Sequence, residues 1–169
     1  IISDASSSDK VEKVIETYTD GRIKYRKKGQ NAGISSNTSQ ALAYATGDYA
    51  GLLDHDDVLT GDALYEMAAC IEKYEKEGVS LKLLYSDEDK CDSREERYYE
   101  VNRKPDFNLD LLLSNNYICH FLVMKRQLMQ ELGFRSVCDG AQDYDIIVRA
   151  VNVMMGKDRQ QPKKASLPR

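Results

Sequence analysis

A short apolar run that ends in a cluster of acids is the feature that most constrains the fold of this chain. Residues 49–53 (YAGLL) are followed directly by residues 54–57 (DHDD). An uncharged, mostly apolar run between turn residues is typical of a strand that is covered on both faces of a parallel sheet. Ligands of open α/β sheets bind outside the carboxyl ends of such strands. The acids therefore stand where a functional site is expected.

The spacing of these acids predicts a metal site. Residues two apart along an extended chain point to the same side, so Asp54 and Asp56 can converge on one cation while His55 and Asp57 lie to the flanks. Carboxylates are hard oxygen ligands that suit Mg²⁺ or Mn²⁺, often together with substrate phosphates. This pattern predicts the binding of a metal-bridged diphosphate.

The alternative is an acidic turn in which Asp57 or Thr60 caps a helix that begins near residues 61–62. Such a cap explains one acid and leaves the others unexplained. Three clustered carboxylates repel one another and raise one another's pKa unless a cation neutralises them.

Apolar periodicity along the rest of the chain predicts helices that alternate with strands. The predicted helices are 11–18, 35–45, 64–74, 125–132 and 140–151, and the predicted strands are 1–2, 23–26, 49–53, 81–85 and 117–124. This alternation predicts an α/β fold with a mainly parallel sheet. The charged stretch 91–100 is predicted to be a solvated loop.

Length and composition predict one domain, at residues 1–155, followed by a divergent or disordered tail at 156–169. The net charge of −4 argues against nucleic acid as a main partner. The four cysteines are widely spread, which fits a reducing cytoplasm. We expect no transmembrane segment, since no run has the required length. The missing initial Met predicts that the chain begins inside a larger gene product.

Five motifs, taken in order, resemble those of family 2 glycosyltransferases over residues 1–151. They are residues 3–6 (SDAS), 31–35 (NAGIS), 45–49 (ATGDY), 54–57 (DHDD) and 142–145 (QDYD). Several ordered motifs are far more specific than any one of them. Residues 85–90 (YSDEDK), 104–106 (KPD) and 116–120 (NYICH) are similar to those of a bacterial subgroup that builds cell-surface polysaccharides.

The resemblance implies a GT-A-type, Rossmann-like fold, with a mainly parallel sheet flanked by helices. It implies that a sugar is moved, with inversion, from a nucleotide-diphosphate donor to a glycan or lipid-linked acceptor. The donor would be a UDP- or dTDP-sugar and the cofactor Mn²⁺ or Mg²⁺. We expect a cytoplasmic location, with the inner face of the membrane as an alternative.

The resemblance also implies roles for individual residues. Asp4 would contact the nucleotide base or ribose, Asn31 and Gly33 would line the nucleotide pocket, Asp54 and Asp56 would contact the ribose and the cation, and Asp143 would be the general base. A base is needed because the acceptor hydroxyl must lose a proton as it attacks. The alternative for Asp143 is a helix N-cap, with Asp145 in the first turn favoured by the helix dipole.

Other residues have two interpretations each. Asp87, Glu88 and Asp89 could orient acceptor hydroxyls or form a solvated turn. His120, within a predicted strand, is a core histidine by default, although the resemblance suggests that it faces the acceptor cleft. Lys104 could contact phosphate or lie on the surface, and Arg149 could pair with Asp145 four residues away.

The chain departs from the family in its missing first strand, in Ser3 where many members have Asp, and after Val151. We therefore expect a truncated sheet with unpaired backbone groups. One alternative function is a non-catalytic remnant or a nucleotide- or glycan-binding module. Another is a metal-dependent nucleotidyltransferase, for which residues 29–33 (GQNAG) are a poor phosphate loop.

Overall fold

The computed structural model describes residues 1–158 and 160–165, in which helices and short strands alternate. The strands are β1 Ile2–Asp4, β2 Tyr25–Lys27, β3 Tyr49–Leu52, β4 Leu83–Tyr85, β5 Glu88–Cys91, β6 Tyr98–Asn102, β7 Leu122–Lys125 and β8 Lys163–Lys164. The helices are α1 Lys10–Ile15, α2 Ile34–Ala43, α3 Ala63–Lys76, α4 Leu109–Ser114, α5 Arg126–Leu132 and α6 Gln142–Val153. Each predicted helix and strand overlaps one of these elements, so the α/β architecture is confirmed.

The main sheet has four strands in the order β3-β7-β4-β8. Strand β7 runs antiparallel to both β3 and β4, whereas β4 and β8 are parallel. Strands β3, β4 and β8 thus share one direction, and β7 is reversed. The prediction of a mainly parallel sheet missed this reversal, because an apolar run such as 117–124 does not record the direction of its strand.

The main sheet is covered on both faces. Leu83 and Tyr85 of β4 face a core formed with α4, α5 and α6, whereas Leu84 between them faces a second core that includes Met67 of α3. All three β4 residues have 0% exposure. A strand buried on both faces needs no polar alternation, which explains why its sequence is a continuous apolar run.

The strand register brings three loops to one edge of the main sheet. Leu52, the last residue of β3, and Tyr85, the last residue of β4, both lie opposite Leu122, the first residue of β7. The loops that follow β3 and β4 and the loop that precedes β7 therefore meet there. The antiparallel direction of β7 is what places residues 118–121 beside the acids of the other two loops.

Strands β1 and β2 pair in parallel as a separate two-stranded sheet. The first helix, α1, lies close to this pair in sequence and has no buried residue. Val11 and Val14 of this helix and Tyr18 beyond its end are exposed, although the apolar periodicity that predicted a helix at 11–18 is typical of a helix with one buried face. This part of the chain therefore presents apolar surface among the described residues.

Two stretches that were predicted to lack helices and strands contain strands. Within the charged stretch 91–100, β6 pairs with β5 as an antiparallel hairpin, and every residue of β6 is exposed. Because neither face of β6 is buried, its sequence lacks the alternation that predicts a strand. Within the predicted tail, residues 163–164 form β8, which pairs with β4, and Ala165 is buried. Residues 159 and 166–169 lie outside the described residues, and the domain boundary at residue 155 stays a prediction.

Across the described part of the chain, no helix has the length and apolar composition that crossing a bilayer requires. The longest, α3, has 14 residues, and its sequence includes both acids and lysines.

Candidate active site

His120 lies at the centre of the candidate site, at the sheet edge where the three loops meet. Its ring nitrogen Nε2 is 4.0 Å from Asp54 Oδ2, and Nδ1 is 3.7 Å from Asp57 Oδ2. The Cys119 sulfur lies 3.1 Å from Nδ1. His120 precedes β7, so the prediction that it lies within a strand is wrong. Its side chain is 42% exposed, so it is open to a ligand and is not a core histidine.

Asp143 approaches the same imidazole from the first turn of α6. The Cys119 sulfur, a His120 ring nitrogen and an Asp143 carboxylate oxygen all lie within 4.8 Å of one another. Asn116 Nδ2 donates to Asp143 Oδ2 over 2.7 Å, which fixes the carboxylate. The N-cap of α6 is Ala141, so the alternative that Asp143 caps this helix is wrong.

The acids after β3 are arranged by a turn. Strand β3 ends at Leu52, and the Asp57 amide donates to the Asp54 carbonyl over 3.3 Å. A turn of this kind brings residues i and i+3 together, whereas an extended chain aligns residues i and i+2. Asp54 and Asp57 therefore lie with His120. The Asp56 side chain is 77% exposed, and its carboxylate lies 3.8 Å from His55 Nδ1.

Among the described residues, two groups of side chains could hold a metal ion, and they share His120. One is Asp54, Asp57 and His120, and the other is Cys119, His120 and Asp143. The first offers two partly exposed carboxylates, which suit Mg²⁺ or Mn²⁺, and an imidazole, which favours transition metals. The predicted pair Asp54 and Asp56 stays a prediction, with Asp57 as a further candidate ligand.

The second group is a poorer metal site. Burial and the neighbouring Asp143 carboxylate raise the pKa of the Cys119 thiol well above its usual range. Since the thiolate is the form that binds metals, a protonated Cys119 is a weak ligand.

Neither proposed cap of the helix after the acids is present. Helix α3 begins at Ala63, and its N-cap is Asp62, which makes no side-chain capping bond. The alternative in which Asp57 or Thr60 caps this helix is therefore wrong.

Lys104 is buried beneath the His120 loop, which corrects the expectation of a surface lysine. Its side chain is 1% exposed. The ammonium donates to Glu88 Oε2 at 3.2 Å, to the Ile118 carbonyl at 3.1 Å and to the His120 carbonyl. Three N–H groups thus have three acceptors, and none is left for a phosphate. Burial lowers the pKa of Lys104, although the Glu88 carboxylate opposes this effect.

The three acids after β4 differ in their surroundings. Asp87 Oδ1 accepts from the Lys104 amide and from Lys164 Nζ, each over 2.7 Å. Glu88 Oε2 accepts from the His120 amide over 2.7 Å. Asp89 is exposed. Asp87 and Glu88 are therefore not a solvated turn, and Asp89 is the acid of the three that faces solvent.

Asp4, predicted to contact the nucleotide, is buried in a network of its own. Its carboxylate accepts from the Ser6 amide over 2.8 Å, from Lys27 Nζ over 2.9 Å and from the Tyr25 hydroxyl over 2.7 Å. These hydrogen bonds hold the pKa of Asp4 well below its usual range. The hydrogen bonds of the Asp4 side chain therefore stay within the segments around β1 and β2.

Asn31 and Gly33, also predicted to bind the nucleotide, form the entry to α2. Asn31 Oδ1 accepts from the Gly33 amide over 3.1 Å and from Asn37 Nδ2 over 2.8 Å. Asp139, which the sequence did not single out, accepts from the Ser35 amide over 3.2 Å. Asp139 thus ties the start of α2 to the loop before α6.

Replacing Gly33 with Ala is expected to destabilise the fold. Gly33 has φ 89° and ψ 160°, a conformation that is nearly exclusive to glycine and costs other residues about 1–3 kcal/mol. A Cβ would also stand 2.9 Å from Asp139 Oδ2. We expect the free energy of unfolding to fall by about 1–3 kcal/mol in urea titrations. Gly29→Ala is the control, because a Cβ there meets nothing within 4 Å; equal stability of both variants would contradict this account.

Asp145 is expected to contribute stability that is lost in acid. Arg135 and Arg149 both bind its carboxylate, and they lower its pKa to about 2. The predicted pair of Arg149 and Asp145 is thus confirmed. Because the folded-state pKa lies below the ordinary value of 3.8, this stabilisation is full above pH 3.8 and is lost as the pH falls towards 2. Between pH 3.8 and 2, the Tm of thermal unfolding should fall less for Asp145→Asn than for the wild type. Equal slopes of Tm against pH in the two proteins would contradict this account.

Comparison with known proteins places the chain in a family. The sequence model of glycosyl transferase family 2 matches residues 1–133. The chain is 36% identical over 163 residues to the uncharacterized protein y4gI of Sinorhizobium fredii. This match covers 95% of this chain and 17% of that protein. It is 31% identical over 152 residues to the O-antigen biosynthesis protein RfbC of Myxococcus xanthus. This match covers 88% of this chain and 12% of that protein. The chain therefore spans less than a fifth of the length of either relative.

A solved structure shows the same fold. The crystal structure of residues 1–349 of S. aureus TarS has a TM-score of 0.63 to this chain at 18% identity, and the match covers 87% of this chain and 43% of that chain. The GT-A-type fold implied by the resemblance is thereby confirmed. Since the family model matches most of its residues, this chain belongs to glycosyl transferase family 2.

Proposed function

We propose that this chain forms the donor and catalytic site of an inverting glycosyltransferase that moves a sugar from a nucleotide-diphosphate donor to a growing surface glycan. The observation that supports this most is the convergence at one sheet edge of the acids after β3, His120 and Asp143. Acids near a leaving diphosphate and a separate carboxylate near the acceptor are the two requirements of the reaction.

The donor side would be formed by the loop after β3. Asp54, together with Asp56 or Asp57 and with His120 nearby, would hold Mn²⁺ or Mg²⁺, which supplies positive charge for the diphosphate leaving group. An imidazole ligand would favour Mn²⁺ over Mg²⁺. Asn31 and Gly33 would line the nucleotide pocket. Asp4, the last residue of β1, would support the nucleotide side of the site through its hydrogen bonds with Ser6, Tyr25 and Lys27.

Asp143 would accept the proton of the acceptor hydroxyl. The acceptor oxygen attacks the anomeric carbon from the side opposite the diphosphate, and the new C–O bond forms as the C–O bond to the diphosphate breaks. The proton passes to Asp143, whose orientation Asn116 fixes through its 2.7 Å hydrogen bond. Attack from the opposite side gives inversion at the anomeric carbon.

The acceptor side would lie beyond His120, next to Asp89. Asp87 and Glu88 are occupied by Lys104, Lys164 and the His120 amide, so their role would be to shape this side. A surface glycan or its lipid-linked precursor fits as acceptor, since one relative bears the name O-antigen biosynthesis protein. The four described cysteines are free, which supports a cytoplasmic location.

The proposal is tested by transfer assays with a panel of UDP- and dTDP-sugars, a mixed surface-glycan acceptor and Mn²⁺. We expect release of nucleoside diphosphate that requires both acceptor and metal, and a product whose anomeric configuration is opposite to that of the donor. Retention of configuration would contradict the mechanism. A folded chain that binds donors without releasing diphosphate would indicate a non-catalytic binding module instead.

A further inference from the structure

We propose that the buried pair of Lys104 and Glu88 positions His120 between the acids after β3 and Asp143. Within the described part of the chain, neither side chain has a hydrogen bond or ion pair with Asp54, Asp57 or Asp143, so both would be positioning residues that act through His120. The kinetic consequence of this inference rests on the proposed function, whereas its structural consequence does not.

The pair holds the His120 peptide from both sides. Glu88 Oε2 accepts from the His120 amide over 2.7 Å, and Lys104 Nζ donates to the His120 carbonyl. Lys104 also donates to the Ile118 carbonyl over 3.1 Å. A residue whose amide and carbonyl are both fixed has little freedom in the direction of its Cβ. The imidazole is therefore directed towards Asp54, Asp57 and Asp143.

The pair itself is anchored from outside the site. The Lys104 amide donates to Asp87 Oδ1 over 2.7 Å, and the Lys104 carbonyl accepts from Lys164 Nζ over 2.7 Å. Lys164 belongs to β8, which pairs with β4. Lys104 is thus fixed to the main sheet through its backbone, and its ammonium holds the loop before β7 through the Ile118 and His120 carbonyls.

The energetics of a buried ion pair favour a role in positioning. The Lys104 side chain is 1% exposed and that of Glu88 is 33% exposed, so forming the pair requires the ammonium to lose its water. Such pairs are often replaceable by apolar residues of similar volume with no loss of stability. What an apolar pair cannot replace is the set of hydrogen bonds to the backbone of residues 118–120.

The double variant Lys104→Met/Glu88→Leu tests the proposal, because its apolar side chains can fill the same space but cannot form hydrogen bonds with the backbone of residues 118–120. The chain has two histidines, His55 and His120, so a His55→Gln background leaves one imidazole for NMR. Ring contacts of His120 with Asp57 and Cys119 are measured by NOE without metal. We expect these contacts in the background chain and their loss in the double variant, while far-UV circular dichroism shows the same fold.

The matched control is Lys90→Met/Glu100→Leu, which removes an exposed ion pair from the β5–β6 hairpin that also contains Glu88. We expect it to leave the His120 contacts unchanged. Unchanged contacts in the Lys104/Glu88 variant, or an equal loss in the control, would overturn the proposal. Should the double variant not fold, Lys104→Met alone is measured and judged by the same contacts, since it leaves the partly exposed Glu88 hydrated.

Transfer kinetics give a second readout. We expect the double variant to lower kcat/KM for the nucleotide sugar at least tenfold in Mn²⁺, because His120 lies beside the acids that would hold the metal. Full kcat/KM despite lost ring contacts would overturn the positioning role. Absence of transfer in the wild type would instead contradict the proposed function, and the NMR contacts would still decide whether the pair orients His120.

Discussion

The Asp143→Asn variant is expected to lose sugar transfer and to keep donor binding. The amide has nearly the same size as the carboxylate, and its oxygen can still accept from Asn116 Nδ2, so the first turn of α6 should be unchanged. It cannot take a proton from the acceptor hydroxyl. Because a positioned general base contributes about 10²–10⁴-fold, we expect kcat to fall by about this factor.

Asp145→Asn is the control for this variant, since Asp145 lies in the same first turn and faces Arg135 and Arg149. We expect it to keep transfer at neutral pH. The measurements are the initial rate of diphosphate release and the Kd of the donor for each variant. Transfer that survives Asp143→Asn would rule out its role as the base.

The Asp54→Ala variant is expected to lose metal-dependent donor binding. Asp54 belongs both to the pair predicted from the motif and to the group that the structure brings together around His120. Loss of a residue that merely supports a metal ligand already costs about 10–100-fold in affinity, so we expect loss of this carboxylate to cost at least about 100-fold. The measurement is the Kd of the nucleotide sugar in Mn²⁺.

Two further comparisons sharpen this prediction. Asp62→Ala removes an exposed acid that makes no side-chain capping bond, and it should bind donor as the wild type does. Asp56→Ala and Asp57→Ala then distinguish the two possible partners of Asp54. Weaker donor binding in Asp56→Ala would support the pair predicted from the motif, whereas weaker binding in Asp57→Ala would support the group that the structure brings together. Wild-type affinity in Asp54→Ala would contradict the assignment of the donor side.

The position of the site could be predicted from the sequence because it follows from local pattern. An apolar run predicts a strand of the sheet, and acids that follow it then lie at the sheet edge, where ligands bind. The prediction that residues 49–53 are covered on both faces is wrong, because β3 is the outer strand of the described main sheet and none of its residues is fully buried. Apolar periodicity likewise predicted a helix at 140–151, and Ile146, Ile147, Ala150 and Val151 of α6 are all buried. These features depend on neighbouring residues alone.

The internal geometry of the site could not be predicted in this way, because it depends on contacts between distant residues. Lys104 is buried by groups 14 and 16 positions away, and Asp139 meets Ser35 across 104 positions. The pairing of Asp54 with Asp57 depends on where β3 ends. If the chain stayed extended beyond Leu52, Asp54 and Asp56 would point to the same side, whereas the turn that follows β3 brings Asp54 and Asp57 together. His120 enters the site only because β7 is antiparallel.

The central claim is that this sheet edge binds a nucleotide-diphosphate sugar through a divalent cation. The most direct test is calorimetric titration of the folded chain with UDP, dTDP and their sugars, with Mn²⁺, with Mg²⁺ and with neither. We predict binding that requires a metal, prefers one nucleotide and is tighter with Mn²⁺ than with Mg²⁺. The same affinity with and without metal, or no binding by a folded and monodisperse sample, would contradict the claim.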